Sequence, residues 1–374
     1  MPVTLPLAQK IKAKAVYTVL NLSLLLYIYD SVFLMKRITI TLSIFWGLVG
    51  GTLAQDPNFS QFFASPLTLN PASTGKFDGL YRVAGNYRNQ WPTISNAYTT
   101  KTASADFHFL RNQIAEIDRW GFGVLALNDQ NGNGALKTNQ LSLSTAFHKG
   151  LDEDGYHQIG VGFQGSYTDK RLDVSNLDFE DELTSLGFTG ATSEIFPQNG
   201  LNVKYFDVNA GVLYNGSSNG YNNFYFGASM YHINRPKENF QGGQFYLNSR
   251  TTLQAGGRLP FGQLDAFHFS SNYSFQANAN NMMVGGAFSK NMNYDEEYPL
   301  NVYLGLWARF NNVTDAIIPY IGAEVGDFLL GATYDLNISG LQPASNIRGG
   351  IEISVIYIKK PLNRDLKKLN CPKF

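Results

Sequence analysis

Apolar and polar side chains alternate, residue by residue, over most of this chain between residues 80 and 358. One such stretch places two sets on opposite faces: Phe224, Phe226, Ala228 and Met230 against Tyr225, Gly227, Ser229 and Tyr231. Successive side chains of a β-strand point to opposite faces, whereas the spacing of an amphipathic helix is scarce here. After residue 54 no apolar run approaches the roughly 18 residues that indicate a membrane helix. The chain is therefore predicted to be all-β.

Alternating segments of about 10–13 residues suit strands that cross a membrane at a tilt. They fall near residues 80–90, 97–109, 119–129, 137–149, 156–168, 202–216, 221–233, 247–259, 266–277, 281–290, 299–310, 315–325, 327–337 and 346–358. Only 16% of all residues are charged, and 14% are aromatic. A strand with one face in lipid and the other in water has this composition. We predict a transmembrane antiparallel β-barrel of about 14 strands (12–16) over residues 80–358. The alternative is a soluble β-sandwich or propeller, although no blade-length repeat is found.

The amino-terminal region has the parts of an export signal. Lys36 and Arg37 precede an apolar run over residues 38–49, and Thr52-Leu53-Ala54 resembles a cleavage site. Residues 35–54 are thus predicted to be a cleavable signal peptide that directs the chain to the bacterial outer membrane. Residues 1–34 are interpreted as upstream sequence translated in error; the rival is a membrane helix over residues 15–34.

Charge argues against nucleic-acid binding. The chain has 29 basic and 29 acidic residues, of which five basic and one acidic lie in residues 1–54. The remainder has 24 basic and 28 acidic residues, a net charge of −4, and no basic stripe is present. Cys371 is the only cysteine, so an intramolecular disulfide is impossible.

Strand parity predicts the placement of the connections. With both ends of the barrel chain in the periplasm, the connection after each odd strand lies outside the cell. The long segments 169–201 and 234–246 then fall outside, and the short segments 216–220 and 326–327 fall in the periplasm. The tail over residues 359–374 is expected in the periplasm as well.

Residues 55–79 precede the first strand and are rich in proline, with Pro57, Pro66 and Pro71. Because proline is excluded from central strands, the segment is predicted to be extended and irregular. It is expected to start in the periplasm and to pack in the barrel mouth. A plug and a periplasmic docking arm are the alternatives.

No catalytic, metal or cofactor site is predicted, and the chain is interpreted as non-enzymatic. The run from Asp129 to Gly134 copies the first half of a calcium loop, but Gln140 stands where the bidentate Glu belongs, which favours a tight turn. The histidines lie on separate strands: His108, His148, His157, His232 and His268. A hydrolase would need a Ser and a His at hydrogen-bonding distance. The acidic cluster at residues 178–182 is expected to be a solvated loop face, with a cation or a basic partner as the alternative.

Five sequence blocks are spread over the chain: QDPNFSQFFASPLTLNPASTG at residues 55–75, NYRNQWP at 86–92, Ser104-x-Asp106, GGIEIS at 349–354 and the ending CPKF. Together these blocks resemble the PorP/SprF family of type IX secretion. In the ending, Lys373 stands where the resemblance leads us to expect Arg. The motif residues, of structural or partner-binding role, are Gln55, Asp56, Pro57, Phe59, Ser60, Gln61, Phe62, Asn70, Pro71, Asn86, Tyr87, Arg88, Gln90, Trp91, Asp106, Glu352, Cys371, Pro372 and Phe374.

The resemblance implies an accessory outer-membrane barrel without enzymatic activity. Its expected partners are outer-membrane lipids, a ring lipoprotein or peptidoglycan-binding linker of the secretion machinery, and a large secreted surface protein of the gliding adhesin type. Physically, Arg88 is expected to stack on Trp91 or to pair with an inward carboxylate, and Glu352 to face the lumen.

The alternative function is a porin-like channel or small-solute transporter. The predicted inward side chains include bulky aromatic rings, which argue against a wide aqueous pore: Tyr225, Tyr231, Tyr303 and Trp307.

Overall fold

The computed structural model describes residues 56–94, 98–110, 115, 117–185, 187–190, 192–196, 201–240, 244–262, 264–294, 298–311, 313–340 and 342–360. The predicted signal peptide, its upstream extension, Gln55 and the ending with Cys371, Pro372 and Phe374 lie outside these residues. Within them no helix has the length and apolar character needed to cross a bilayer.

Fourteen antiparallel strands form one closed barrel, which confirms the predicted fold. In chain order the strands are β1 Tyr81–Gln90, β2 Tyr98–Phe109, β3 Arg119–Asn131, β4 Leu136–Gly150, β5 Gln158–Leu172, β6 Leu183–Thr184, β7 Gly187–Phe188, β8 Leu201–Gly216, β9 Asn223–Tyr231, β10 Arg250–Phe261, β11 Asp265–Gln276, β12 Ala279–Asn291, β13 Leu300–Asn311, β14 Val313–Val325, β15 Phe328–Asn337 and β16 Arg348–Lys359. The short strands β6 and β7 pair only with each other, and all the others belong to the barrel. Each barrel strand pairs with its neighbour in sequence, and β1 pairs with β16 to close the sheet.

The two faces of the barrel follow the alternation of the sequence. Leu304 and Leu306 on β13 are 62% and 56% exposed, whereas Tyr303 and Trp307 between them are 1% exposed. Glu352 on β16 is buried as well, which confirms its predicted inward position. The outward apolar side chains form a surface suited to lipid, and the inward side chains are predominantly polar.

Connection lengths differ between the two ends of the barrel. One end has the long connections 173–200 and 232–249, and the other has short ones such as 217–222 and 326–327. Because outer-membrane barrels have long loops outside and short turns in the periplasm, we name these the outer end and the inner end. β1 starts at the inner end.

Residues 56–80 are here named the lead-in, and residues 56–77 are buried or half-buried inside the barrel. The segment forms short helical turns at Phe62–Ala64, Pro66–Leu69 and Pro71–Ser73, so the extended conformation expected from its prolines is only partly present. Pro66 and Pro71 stand at the starts of their turns, where the absence of an N–H costs nothing and the fixed φ favours a helix. The described residues contain three further helical turns: Val174–Asn176 and Glu180–Glu182 between β5 and β6, and Gln342–Ser345 before β16.

Candidate functional site

The lead-in crosses the lumen from the outer end to the inner end. At its start, Asp56 contacts His232, the first residue after β9, and Gln276, the last residue of β11. At its end, Leu80 donates its backbone N–H to Lys359 at the inner end of β16. The expectation that this segment starts on the periplasmic side therefore differs from the structure. Sequence order fixes only where the lead-in joins β1; its other end is set by buried polar partners far away in the chain.

The outer cluster consists of Asp56, Asp207, His232, Arg250 and Gln276. The Asp56 carboxylate lies 2.8 Å from His232 Nε2 and 3.3 Å from Arg250 Nη1, and its backbone N–H donates to Gln276 Oε1 at 3.1 Å. His232 Nδ1 lies 2.8 Å from the Asp207 carboxylate on β8. Burial on its own lowers the pKa of His232, but the carboxylates of Asp56 and Asp207 raise this pKa to about 9. The cluster thus binds the start of the lead-in through a charged imidazole at neutral pH.

The raised pKa of His232 predicts a pH-dependent attachment. A histidine has a pKa of about 6.5 when unfolded, so its stabilising contribution is complete below that pH and is lost as pH rises through about 9. We expect wild type to lose its stability advantage over His232→Gln between pH 7 and pH 10. Urea unfolding in detergent measures this, with His157→Gln in an inner turn as the control. An advantage independent of pH would contradict the assignment.

The seam cluster holds the lead-in where the barrel closes. It consists of Ser60, Gln61, Arg88, Arg309, Asp315, Asp335 and Glu352. The Glu352 carboxylate on β16 accepts the backbone N–H groups of Ser60 at 2.7 Å and Gln61 at 3.0 Å. The Gln61 side chain in turn donates to the Glu352 carbonyl at 3.0 Å and accepts from Ser354 at 2.6 Å. Glu352 stands opposite Arg88 in the register of β1 with β16, so these bonds lie on the closing strand pair.

Arg88 pairs with an inward carboxylate, one of the two arrangements expected from sequence. Its Nη2 lies 3.0 Å from Asp335, and Nη1 donates to the Asn58 carbonyl of the lead-in. Arg309 bridges Asp335 at 2.9 Å and Asp315 at 2.7 Å. The strand register shifts immediately after Arg309 and Asp335, and such irregularities re-aim neighbouring side chains. Trp91 instead packs edge-on against Tyr98.

The inner cluster holds the end of the lead-in, and it includes Asp106 of the Ser104-x-Asp106 block. Asp106 on β2 accepts the Gly75 N–H at 2.8 Å and two bonds from Arg82, at 2.9 and 2.8 Å. Arg82 also donates to the Ser73 carbonyl at 3.1 Å. The fork geometry of a bidentate guanidinium–carboxylate pair is directional as well as strong. Both ends and the middle of the lead-in are therefore held by charged groups.

Two inward-facing glycines of the barrel wall leave the space that the lead-in occupies, because they have no side chain. A Cβ on Gly162 of β5 would lie 2.4 Å from backbone atoms of Pro71 and Ala72, and one on Gly211 of β8 would lie 2.0 Å from Asn70 Oδ1. The Asn70 amide donates to the Val212 carbonyl at 3.0 Å, and its Oδ1 accepts the N–H of Ala72. Sequence reasoning missed these glycines, although their inward position on neighbouring strands was readable from the alternation.

Aromatic rings fill the lumen beside β13 and β14. The Phe63 ring centroid lies 5.1 Å from that of Trp307 and 5.6 Å from that of Tyr320. Phe62 belongs to the same buried cluster, with Tyr303. The bulky inward aromatics predicted from sequence thus pack against the lead-in.

The structure brings the motif blocks together around the lead-in. Seven motif residues make polar contacts between lead-in and barrel or within the lead-in: Asp56, Ser60, Gln61, Asn70, Arg88, Asp106 and Glu352. Phe59, Phe62, Pro71 and Asn86 are buried, and Pro57 and Gln90 are half-buried. Tyr87 faces outward, and the Trp91 N–H donates to the Gly349 carbonyl. The remaining four lie outside the described residues.

The other sequence candidates show no assembled site in the described residues. Asp129 on β3 accepts a bond from Thr100, and Gly132, Asn133 and Gly134 adopt positive φ in a tight turn. No group of three His, Cys, Asp or Glu there could hold a metal ion. In the acidic cluster, Asp181 accepts from Thr192 and Ser193 within its own loop.

One Ser–His pair meets the distance required of a hydrolase. His268 Nε2 lies 3.1 Å from Ser289 Oγ, and both residues are buried. The Ser289 hydroxyl also lies 3.1 Å from the Ala266 carbonyl, which competes with His268 for its single hydrogen. A nucleophilic serine gives its proton to the imidazole, and a competing carbonyl acceptor does not favour that transfer.

The family model described as Type IX secretion system membrane protein PorP/SprF matches residues 52–357. No curated protein matches the chain. Similar solved structures include CdiB from Acinetobacter baumannii (7% identity, TM-score 0.41, 74% of this chain and 59% of that chain). A second similar structure is the Ralstonia pickettii toluene transporter TbuX, with 11% identity and a TM-score of 0.44 over 79% of this chain and 93% of that chain. A third is BamA from Haemophilus ducreyi lacking POTRA domains 1–3, with 7% identity and a TM-score of 0.40 over 75% of this chain and 70% of that chain.

Proposed function

Because this chain belongs to the PorP/SprF family of type IX secretion system membrane proteins, we propose that it is a non-enzymatic outer-membrane barrel that supports secretion or surface attachment of a partner protein. It does so by binding the periplasmic machinery at one end and the exported protein at the other. The periplasmic partner is a ring lipoprotein or a peptidoglycan-binding linker. The exported partner is a large surface protein of the gliding adhesin type.

The observation that carries this proposal is the occupied lumen. The lead-in meets the barrel wall at the outer, seam and inner clusters, and its aromatic and proline-rich middle packs against β5, β8, β13 and β14. A porin instead requires a water-filled passage lined by its inward side chains. A lumen occupied by this segment leaves less room for a water-filled passage, and the connections at the two ends are then the surfaces available for function, which supports binding over conduction.

The connections at the two ends suit different partners. At the outer end, Asp178 and Glu180 are exposed in the 173–200 connection, and this surface would meet the exported protein. At the inner end, Glu153 and Asp154 are exposed in the turn between β4 and β5, and this surface would meet the machinery.

Affinity purification of the tagged protein at native level, followed by mass spectrometry, tests the proposal. We expect wild type to recover both the ring lipoproteins or linker and a large surface protein. The double variant Asp178→Asn/Glu180→Gln should weaken recovery of the surface protein alone. The matched variant Glu153→Gln/Asp154→Asn should weaken recovery of the machinery alone, since it neutralises the same number of charges at the opposite end.

Reproducible recovery of the barrel alone in gentle detergent would overturn the proposal and favour the channel. Deletion of the gene gives a second readout in cells. The proposal predicts a cell surface that lacks one specific protein while general outer-membrane permeability stays normal; increased or decreased solute uptake with an intact surface proteome would contradict it.

A further inference from the structure

Strand β8 continues beyond its neighbour β9 at the outer end of the barrel. On one side it pairs with β5 along its whole outer half, up to Leu201 opposite Leu172. On the other side its ladder with β9 ends at Ala210, opposite Met230. The residues 201–209 therefore lie beyond the ladder with β9, and at a rise of about 3.3 Å per residue they add about 30 Å of strand.

The lower part of this edge is covered by the side chain of Asn234. Val208 directs both of its backbone groups away from β5: its N–H donates to Asn234 Oδ1 at 3.1 Å, and its carbonyl accepts the Ile233 N–H at 3.0 Å. Asn234 Nδ2 donates to the Phe206 carbonyl at 2.8 Å. The Asn234 amide thus offers one donor and one acceptor to β8, as a peptide group of a neighbouring strand would.

Beyond Phe206 the edge of β8 is open, and residues 201–205 are here named the open edge. Backbone groups on one side of a strand belong to every second residue, so Lys204 and Asn202 direct theirs to the same side as Val208. Within the part of the chain that the structure describes, no hydrogen bond reaches these backbone groups. Unpaired N–H and C=O groups in a row are a template for a further strand.

The open edge lies above the lipid surface. The outward side chains of β8 are apolar up to Phe206, which is 57% exposed, and they are polar beyond it, at Lys204 and Asn202. On β5, Tyr167 stands opposite Phe206, and Asp169 stands opposite Lys204. Charged outward side chains lie outside the apolar band of a membrane barrel, so the open edge faces water at the outer end.

Charge favours one kind of occupant for the open edge. A second copy of the chain, paired edge to edge about a twofold axis, would bring two Lys204 side chains together, and like charges on neighbouring strands repel. Lys204 Nζ lies 3.8 Å from Asp169, but the same carboxylate lies 2.9 Å from Arg171 Nη2. Two cations share one carboxylate, and the remaining positive charge favours a strand that carries an acidic side chain.

We propose that the open edge binds an extended segment of the exported partner protein, which is added to the barrel wall as a further strand. The backbone groups of Asn202 and Lys204 hold this segment, and an Asp or Glu of the segment lies beside Lys204. In strand addition of this kind the backbone bonds supply affinity and the side chains supply specificity. The inference rests on the proposed function, because it names the surface that holds the exported protein.

A proline at residue 204 tests the backbone bonds. Proline has no N–H, and a strand tolerates it where the N–H faces solvent. In the affinity purification, we expect Lys204→Pro to reduce recovery of the large surface protein at least about tenfold, because a carbonyl of the segment loses its donor. Lys204→Ala keeps the N–H and loses only the charge, so it should reduce recovery less than about fivefold. Neither variant should change recovery of the ring lipoprotein or linker.

Hydrogen exchange gives a second measurement that needs no substitution and does not depend on the folding of Lys204→Pro. The sample is the complex of the wild-type barrel with the surface protein that co-purifies with it, compared with the wild-type barrel alone. We expect backbone exchange at residues 201–205 to be at least about tenfold slower in the complex, since newly bonded N–H groups are protected. Exchange in the inner turn at residues 217–222 should be the same in both samples.

The results separate this inference from the proposed function. If wild type recovers the surface protein, equal recovery by Lys204→Pro or unchanged exchange at residues 201–205 would overturn the inference and leave the proposed function in place. Failure of wild type to recover any surface protein would overturn both. Slow exchange at residues 201–205 in particles that contain only barrel chains would show that a second copy occupies the open edge, which also contradicts the inference.

Discussion

Replacing Glu352 with alanine is expected to lower the free energy of unfolding by about 3–5 kcal/mol, the usual cost of breaking a buried ion pair. The substitution leaves the backbone N–H groups of Ser60 and Gln61 without their acceptor. It also removes the carboxylate that lies 3.9 Å from Arg88 Nε in a buried cluster. Because these bonds lie at the junction of β1 and β16, the closure of the barrel should weaken together with the lead-in.

Urea unfolding of the purified barrel in detergent measures this loss. Glu352→Gln keeps one acceptor oxygen and should fall between alanine and wild type. Ile353→Val, one residue along the same strand but facing lipid, is the control and should unfold within about 1.5 kcal/mol of wild type. If Glu352→Ala were as mild as Ile353→Val, the seam cluster would have no role in holding the lead-in.

Gly162→Leu is expected to expel the middle of the lead-in while the barrel itself still forms. Even a Cβ at residue 162 would stand 2.4 Å from the backbone of Pro71 and Ala72, and backbone atoms in a helical turn have little freedom to move away. Trypsin reports the change, because Lys76 is a cleavage site that is buried in the lumen, where its ammonium donates to Gln158. We expect wild type to resist cleavage after Lys76, and Gly162→Leu to be cleaved there at least about tenfold faster, as a loss of about 1.4 kcal/mol of protection would give.

Gly165→Leu provides the matched control for this substitution. Gly165 lies on the same strand but faces outward, where the nearest atom to an added Cβ is the end of the Phe206 ring at 3.0 Å. A side-chain ring can rotate away, so this variant should retain the protease resistance of wild type. Equal cleavage of the two variants would mean that leucine disturbs the strand and not the lead-in.

The barrel was predictable because its signal is local and repeated. Each strand shows the alternation of apolar and polar residues on its own. The inward position of Tyr303, Trp307 and Glu352 followed from whether each residue falls on the odd or the even positions of its strand. The connections followed from counting, since an even number of strands returns the chain to the side where it began. Errors of one to four residues at strand ends, such as 80 against Tyr81 and 168 against Leu172, leave these conclusions unchanged.

The path of the lead-in was not predictable in the same way. Its partners are separated from it by up to hundreds of residues, as with Ser60 and Glu352, and no periodicity links such pairs. The family motif marked these residues without giving their roles. The structure supplies a physical reason for the grouping: a polar segment inside a barrel needs a matching hydrogen-bond partner at each depth. Arg88, Asp106 and Glu352 are three of those partners.

The measurement that tests the central claim most directly is the conductance of the purified wild-type barrel in planar lipid bilayers. A barrel whose lumen is closed by its own lead-in should show no stable stepwise openings, whereas Gly162→Leu should show them under the same conditions and Gly165→Leu should not. Steady ohmic steps from wild type, of the same size as those from Gly162→Leu, would contradict a closed lumen and with it the conclusion that the protein works by binding.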